Sequence, residues 1–254
     1  MGNFRRNGSD ANHRPERGED VLSHRELLLR NPLHNLFHQD TGLLDDGSMG
    51  AVLARAGVGK TALLVQIGLA AMVAGHRVLH VSLHEHVSKI CLWYEELYRN
   101  MSYTCGVTVE DDAWHDIVKN RFIMSFRASG FSIETFRERL SGLIDQHIFT
   151  PRLILIDGLD FDKEPEASLD SLAAISRSIG AGIWFSVRIH RHEALDAELP
   201  PSLEPLVPKF TVILRLIPDD HHIRIIVLKG AGANEVHSLL LDPSTMLVKD
   251  RTTR

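Results

Sequence analysis

The sequence predicts an α/β fold with three layers, in which helices cover both faces of a mostly parallel sheet and an antiparallel C-terminal hairpin extends one sheet edge. Two observations predict it. From about residue 50 to residue 187, short β-branched apolar runs alternate with longer amphipathic stretches, a pattern typical of buried parallel strands joined by helices. In the last quarter, strand-like runs follow one another through connections too short for helical crossovers, which indicates antiparallel pairing.

The individual elements follow from these runs. Apolar runs predict strands, and amphipathic or helix-length stretches predict helices, in this order: strand 51–54, helix 60–74, strand 77–83, helices 86–100 and 111–119, strand 121–126, helix 133–147, strand 153–156, helix 168–179 and strand 182–187. The C-terminal strands are predicted over 210–217 and 223–229, joined by Pro218-Asp219-Asp220, with a third over 235–241.

Composition limits the class of protein. The 254 residues are 44% hydrophobic and 24% charged, a balanced composition that excludes a wholly disordered chain. They carry 33 acidic and 28 basic side chains, and this net charge of −5 removes the usual basic signature of nucleic-acid binding. Residues 1–20 are polar and are expected to form a flexible tail, so the prediction is one domain over 21–254 with its core at about 40–248. Two cysteines and the lack of a secretory or membrane-spanning pattern favour a cytoplasmic location.

The sharpest motif is the run Ala54-Arg-Ala-Gly-Val-Gly-Lys-Thr61, between a predicted strand and a predicted helix. In that context glycines allow backbone amides to converge on phosphates, and the helix N-terminus adds its positive dipole end. Lys60 is expected to reach the β- and γ-phosphates and Thr61 to bind Mg²⁺. Alanine stands at residue 54, where the usual pattern has glycine, and it costs about 1 kcal/mol if a positive φ is needed there. The predicted nucleotide-binding residues are Arg55, Ala56, Gly57, Val58, Gly59, Lys60, Thr61 and Ala62.

A second motif, Leu153-Ile-Leu-Ile-Asp157, places a carboxylate at the end of a buried strand. Such a strand brings its last residue to the sheet edge where the phosphate loop also lies. Asp157 is therefore predicted to bind Mg²⁺ together with Thr61. The alternative is a solvated acid that starts a turn.

Together these segments resemble the RecA-like ATPases, and within them the KaiC/RadA and DnaB-type cores. The resemblance rests on residues 47–61, on Val78 to Leu83 followed by Glu85, and on Leu153 to Asp157, and it covers about residues 40–248. It implies a RecA-like P-loop fold that uses ATP and Mg²⁺, self-association into rings or filaments with sites at subunit interfaces, and action on a protein partner.

The resemblance implies roles for three further residues. Glu85 matches the glutamate that activates the attacking water, and Arg188 lies near the strand tip that senses the γ-phosphate. Lys229 matches a lysine that enters the neighbouring subunit's site, but Ala231 replaces the arginine that often follows it. Each has an ordinary alternative, as a surface carboxylate, a solvated loop arginine or a strand-end lysine.

Two other features bear on ligands. His84 and His86, like His190 and His192, form His-x-His pairs at the same predicted sheet edge and are either metal ligands or polar surface groups. The loops that bind DNA in RecA and DnaB relatives are acidic here: 158–170 has five acids and one base, and 188–209 has four acids and three bases. DNA binding is therefore possible but disfavoured.

The sequence thus favours a Mg-dependent ATPase that acts as an oligomeric motor or switch. A nucleotide-binding regulatory module with little or no hydrolysis is the first alternative, because Ala54, Ala231 and Arg188 depart from the expected pattern. A DNA-directed recombinase or helicase and a small-molecule kinase are weaker alternatives.

Overall fold

A computed structural model describes residues 32–33, 47–104, 111–127, 130–162, 166–190, 199–230 and 239–250. The predicted tail 1–20, His192, Ala231 and the first part of the predicted strand 235–241 lie outside these residues. The description that follows concerns the described residues alone.

One sheet organises the described chain. Its strands are β1 Met49–Ala54, β2 Val78–Ser82, β3 Arg121–Ser125, β4 Leu153–Asp157, β5 Gly182–Arg188, β6 Val212–Pro218, β7 Ile223–Lys229, β8 Leu239–Leu241 and β9 Val248–Asp250. They lie side by side in the order β3-β2-β4-β5-β1-β6-β7-β8-β9. Strands β1 to β6 are parallel, and β7, β8 and β9 continue the sheet by antiparallel pairing. The predicted α/β fold with a mostly parallel sheet and an antiparallel C-terminal hairpin is confirmed.

Helices cover both faces of the sheet. They are α1 Lys60–Val73, α2 Val87–Thr104, α3 Asp111–Val118, α4 Ile133–Asp145 and α5 Glu166–Ile179, with a 3₁₀ helix at Glu204–Lys209. Helices α1, α2 and α3 pack together over one face, and α4 packs on α5 over the other. The result is the predicted three-layer arrangement.

The alternation of side chains along each strand produces two separate cores. In β1, Val52 and Ala54 belong to the cluster under α1, whereas Ala51 and Leu53 belong to the cluster under α4 and α5. All four residues are fully buried. Both faces of a sheet covered in this way need apolar residues, which explains why its central strands appear in the sequence as continuous apolar runs.

Element boundaries differ from the predictions by a few residues. Helix α5 begins at Glu166, two residues before the predicted start, and α4 ends at Asp145, two residues before the predicted end. After α4 the chain turns at His147, which has a φ of 58°. Strand β9 was not predicted, because three residues are too few to show a period of two.

The C-terminal strands are joined to helix α1 by one buried side chain. Gln66, 2% exposed, donates from Nε2 to the carbonyl of Met246 at 2.7 Å and accepts at Oε1 from the N–H of Val248 at 2.8 Å. The chain between β8 and β9 therefore cannot shift without breaking hydrogen bonds to the helix that follows the phosphate-loop motif. Within the described residues, no helix is both long enough and apolar enough to cross a membrane.

Candidate nucleotide-binding site

The motif between β1 and α1 forms a tight loop that leads directly into the helix. Gly57 and Gly59 have φ values of +80° and +103°, which L side chains rarely adopt. The first backbone hydrogen bond into the helix runs from the N–H of Leu63 to the carbonyl of Gly59 at 2.9 Å. The amides at the start of α1 thus precede the helical hydrogen bonds, and a helix start of this kind favours an anion.

The structure explains why glycine stands at residue 59 and why alanine is tolerated at residue 54. A Cβ on Gly59 would lie 2.7 Å from Cδ2 of Leu241 in β8, so both the backbone and the space require glycine. Ala54 is the last residue of β1, and among the described residues only His147 and Met246 combine a side chain with a positive φ. The conformational cost considered for alanine at residue 54 does not arise.

Lys60 folds back over the loop. Its Nζ donates to the carbonyls of Ala54 and Arg55, each at 2.9 Å. Burial lowers the pKa of Lys60 from 10.5 to about 8; nearby Asp157 opposes this change and Arg188 adds to it. The ammonium group is therefore held where it meets both the positive charge of Arg188 and the carboxylate of Asp157, and a bound anion would favour its charged form.

Asp157 is held by side chains from two other elements. The Thr61 hydroxyl donates to its Oδ2 at 2.7 Å, and the Ser186 hydroxyl donates to its Oδ1. Asp157 is 8% exposed and ends β4, as the sequence predicts. The alternative of a solvated acid starting a turn is wrong for this residue, because both of its carboxylate oxygens accept hydrogen bonds from protein.

An open cavity of about 390 Å³ brings together half of the predicted site residues. Its walls include Ala56, Lys60, Thr61, Glu85, Asp157 and Arg188. The other predicted nucleotide-binding residues, Arg55, Gly57, Val58, Gly59 and Ala62, belong to the same loop and the first turn of α1. The carboxyl ends of β1, β2, β4 and β5 thus meet around one space, at the place where α/β sheets bind ligands.

Glu85 faces this cavity but its carboxylate is already paired. Its backbone is fixed by hydrogen bonds to the hydroxyls of Ser82 and Ser125, at 3.0 Å and 2.8 Å. Its Oε1 accepts from Nζ of Lys89 at 2.6 Å, one turn along α2. Lys89 contacts one oxygen of this carboxylate, and an ionised carboxylate has further acceptor sites that a water molecule can use.

Arg188 lies where the parallel strands end, and Lys229 lies at the opposite end of the sheet, where they begin. Arg188 ends β5 and pairs in register with Ala54, so it stands beside the loop. Lys229 pairs with Ile213 near the start of β6, and its Nζ donates to the carbonyl of Val207 at 2.9 Å. The structure brings Arg188 into the cavity of its own chain, and it leaves Lys229 outside it.

The donor set suits a hard cation. Thr61 and Asp157 offer hydroxyl and carboxylate oxygens, the ligand type that Mg²⁺ takes together with phosphate oxygens and water. Within the described residues no group of three or more His, Cys, Asp and Glu is arranged to hold a metal ion. His84 and His190 both line the cavity, and His190 is paired with Asp162 at 2.6 Å.

Below the site lies a buried polar group that the sequence analysis did not identify. Nδ1 of His80 lies 3.2 Å from the Tyr94 hydroxyl, and the guanidinium of Arg121 lies 4.8 Å above the Tyr94 ring. Burial lowers the pKa of His80 to about 4, so this histidine is neutral at physiological pH. His80 fills a buried position in β2, the neighbour of the strand that ends at Asp157, without adding a charge there.

Ser186 is the second residue that sequence reasoning missed. It is the single hydroxyl in the otherwise apolar middle of β5, Ile-Trp-Phe-Ser-Val, and that isolation was the available signal. No protein-family model matches the chain, and no curated protein matches it. The functional argument therefore depends on the geometry just described.

Proposed function

We propose that this chain binds Mg·ATP and hydrolyses it, as a RecA-like P-loop ATPase. The observation that carries the proposal is the 2.7 Å hydrogen bond between Thr61 and Asp157 at the wall of the cavity that also contains Lys60. The sequence separately predicts these three residues as the magnesium ligands and the phosphate cation. Support for a RecA-like core comes from the loop that follows a central strand, the acid that ends β4 and the antiparallel C-terminal strands.

Phosphate binding uses the loop and the lysine. The amides at the start of α1 and the positive end of the helix dipole are directed at an anion. Lys60 exchanges two neutral carbonyl acceptors for charged phosphate oxygens, which form the stronger type of hydrogen bond. In-line attack by water on the γ-phosphate then transfers negative charge to oxygens that Lys60 and the amides stabilise.

Thr61 and Asp157 would hold Mg²⁺, which when bound neutralises charge on the phosphates. Both side chains are fixed before any ligand arrives, because they are hydrogen-bonded to each other and Asp157 also to Ser186. Glu85, which pairs with Lys89 through one oxygen, orients the attacking water, and Arg188 contributes positive charge beside the loop.

A second function, nucleotide binding with little or no hydrolysis, is favoured by one specific contact. The Lys89 ammonium pairs with the Glu85 carboxylate, which is the group proposed to orient water. A switch or scaffold that binds ATP and holds it would need the phosphate loop and the magnesium ligands but no free base. The two functions share the binding site and differ at Glu85.

The position of Lys229 supports a proposal of self-association. Lys229 lies at the end of the sheet away from its own cavity, so a role for it in hydrolysis would require a neighbouring chain. We propose a homo-oligomer with shared sites that acts on a protein partner. DNA remains a disfavoured ligand, because the acidic side chains Asp160 and Asp162 line the cavity.

The test is phosphate release from purified protein with Mg·ATP, beside Lys60→Ala, over a range of protein concentrations. The ATPase proposal predicts turnover that disappears in Lys60→Ala and rises per subunit with concentration. ATP binding without turnover would favour the second function. Absence of ATP binding would refute both.

A further inference from the structure

The hydroxyl of Ser186 connects strand β5 with the end of β4 and with the loop that follows β4. It donates to Oδ1 of Asp157 and accepts from the N–H of Gly158 at 2.9 Å. Ser186 is 3% exposed and lies inside β5, whose neighbour in the sheet is β4. A single side chain on a rigid strand thus touches both the acid that ends β4 and the first residue of the loop that follows.

The two oxygens of Asp157 have different partners. Oδ2 accepts from Thr61 and Oδ1 accepts from Ser186. The terminal torsion of an aspartate is soft, so a carboxylate with a single partner can turn about its Cβ–Cγ bond. Two partners on different elements fix that torsion, and they fix which oxygen is directed towards Thr61.

The contact with Gly158 fixes the backbone at the same point. Gly158 has a φ of +96°, and a Cβ there would lie 2.4 Å from the His84 ring. Ser186 holds this unusual turn by accepting the Gly158 N–H. Movement of the loop away from the cavity therefore breaks a hydrogen bond to the same hydroxyl that orients Asp157.

We propose that Ser186 is a positioning residue, which orients the Asp157 carboxylate for Mg²⁺ and couples that orientation to the loop that starts at Gly158. The inference rests on the proposed function, because it assigns a role within the same site. Hydrogen bonds to metal-binding carboxylates orient them, and their loss typically costs about 10–100-fold in metal affinity or activity. Ser186 also lines the cavity, and the role proposed for it is indirect, through its hydrogen bond to Asp157.

The experiment separates metal positioning from simple support of the fold. ATP affinity is measured for wild type and Ser186→Ala in EDTA and across a Mg²⁺ titration. Ser186→Thr keeps the hydroxyl. Ser176→Ala is the matched control, since Ser176 is also a buried serine, but it donates to the carbonyl of Ala181, away from the cavity.

The expected result is that Ser186→Ala needs at least roughly tenfold more Mg²⁺ for half-maximal tightening of ATP binding, while its affinity in EDTA equals that of wild type. Ser186→Thr restores the response, and Ser176→Ala never loses it. Equal Mg²⁺ responses in Ser186→Ala and wild type overturn the inference and leave the proposed function standing. If Ser186→Ala does not fold, Ser186→Cys, a weaker donor, must give an intermediate response, and a wild-type response overturns the inference. A wild-type protein that binds no ATP refutes the proposed function instead.

Discussion

Thr61 and Asp157 are separated by 96 positions in the chain, and their side chains are joined by a 2.7 Å hydrogen bond. Thr61 is the second residue of α1, and Asp157 is the last residue of β4. The strand order places β5 between β4 and β1, so the contact spans a strand that neither residue belongs to. Only the assembled sheet brings the two together.

Removing the Thr61 hydroxyl tests the magnesium site. Thr61→Val keeps the shape of the side chain and is expected to weaken Mg·ATP binding by at least roughly tenfold, because it removes a cation ligand and one of the two partners of Asp157. Affinity for ATP in EDTA should change little. Thr61→Ser is the control and should retain the Mg²⁺ response; if it behaves like valine, the hydroxyl is not the relevant group.

Lys60 predicts a pH dependence of ligand-free stability. The unfolded chain keeps its lysine proton up to a pKa of 10.5, whereas the folded protein releases that of Lys60 near 8. Between those values the unfolded state binds more protons, so the contribution of this group to stability rises with pH. The unfolding free energy of wild type minus that of Lys60→Met should increase from pH 8 towards pH 10.5. A flat difference would contradict the buried position of the ammonium group.

The same pKa predicts a pH dependence of ATP affinity. Phosphate binding favours charged Lys60, so affinity should fall as pH rises above about 8, and binding near that pH should take up a proton. Calorimetry in buffers of different ionisation enthalpy measures this uptake. Lys60→Arg is the matched control, because arginine stays charged and should show neither effect.

Glu85 and Lys89 distinguish the two proposed functions. If Glu85 orients water, Glu85→Gln should lower kcat by roughly 10²–10⁴-fold and leave ATP affinity unchanged. Lys89→Ala should raise kcat, but by no more than about threefold, since an exposed pair of this spacing is worth only about 0.3–0.5 kcal/mol. Steady-state kinetics with direct ATP binding measures both. A kcat that is equal in Glu85→Gln and wild type would exclude Glu85 as the base.

Mixing two defective variants tests the position of Lys229. Lys60→Ala lacks a working loop, and Lys229→Ala keeps its loop but lacks the lysine proposed for the neighbour's site. If sites are shared, equal mixing should restore activity at about a quarter of the interfaces. Each variant alone should be inactive or nearly so. Full activity of Lys229→Ala by itself would show that this lysine only binds the carbonyl of Val207.

The hydrogen bonds of Gln66 are expected to stabilise the connection between α1 and the C-terminal strands. Gln66→Leu keeps the volume of the side chain but leaves the N–H of Val248 and the carbonyl of Met246 without their buried partner. Each such loss costs about 1–3 kcal/mol, so the two together should lower the free energy of unfolding in urea by roughly 2–6 kcal/mol. Gln66→Glu keeps the acceptor for Val248 and should lose the Met246 contact. If Gln66→Leu is as stable as wild type, the amide does not hold the two elements together.

The sequence by itself determined the order and type of the elements up to β8, and it determined the local motif. The loop from Ala54 to Thr61 was predictable because glycine positions, a lysine and a helix start are all encoded within a few neighbouring residues. Asp157 was predictable because an acid that ends an apolar run reaches the edge of any parallel sheet. The antiparallel end of the sheet followed from short connections.

The tertiary structure alone decided which side chains meet. That Ser186 holds Asp157, that Lys89 pairs with Glu85 and that Lys229 lies away from its own cavity all depend on strand order and register. A sequence pattern states which face or edge a residue occupies, but not which strand lies beside it. Contacts between strands form only when the sheet assembles, because the energy that selects one neighbour over another comes from packing both faces at once.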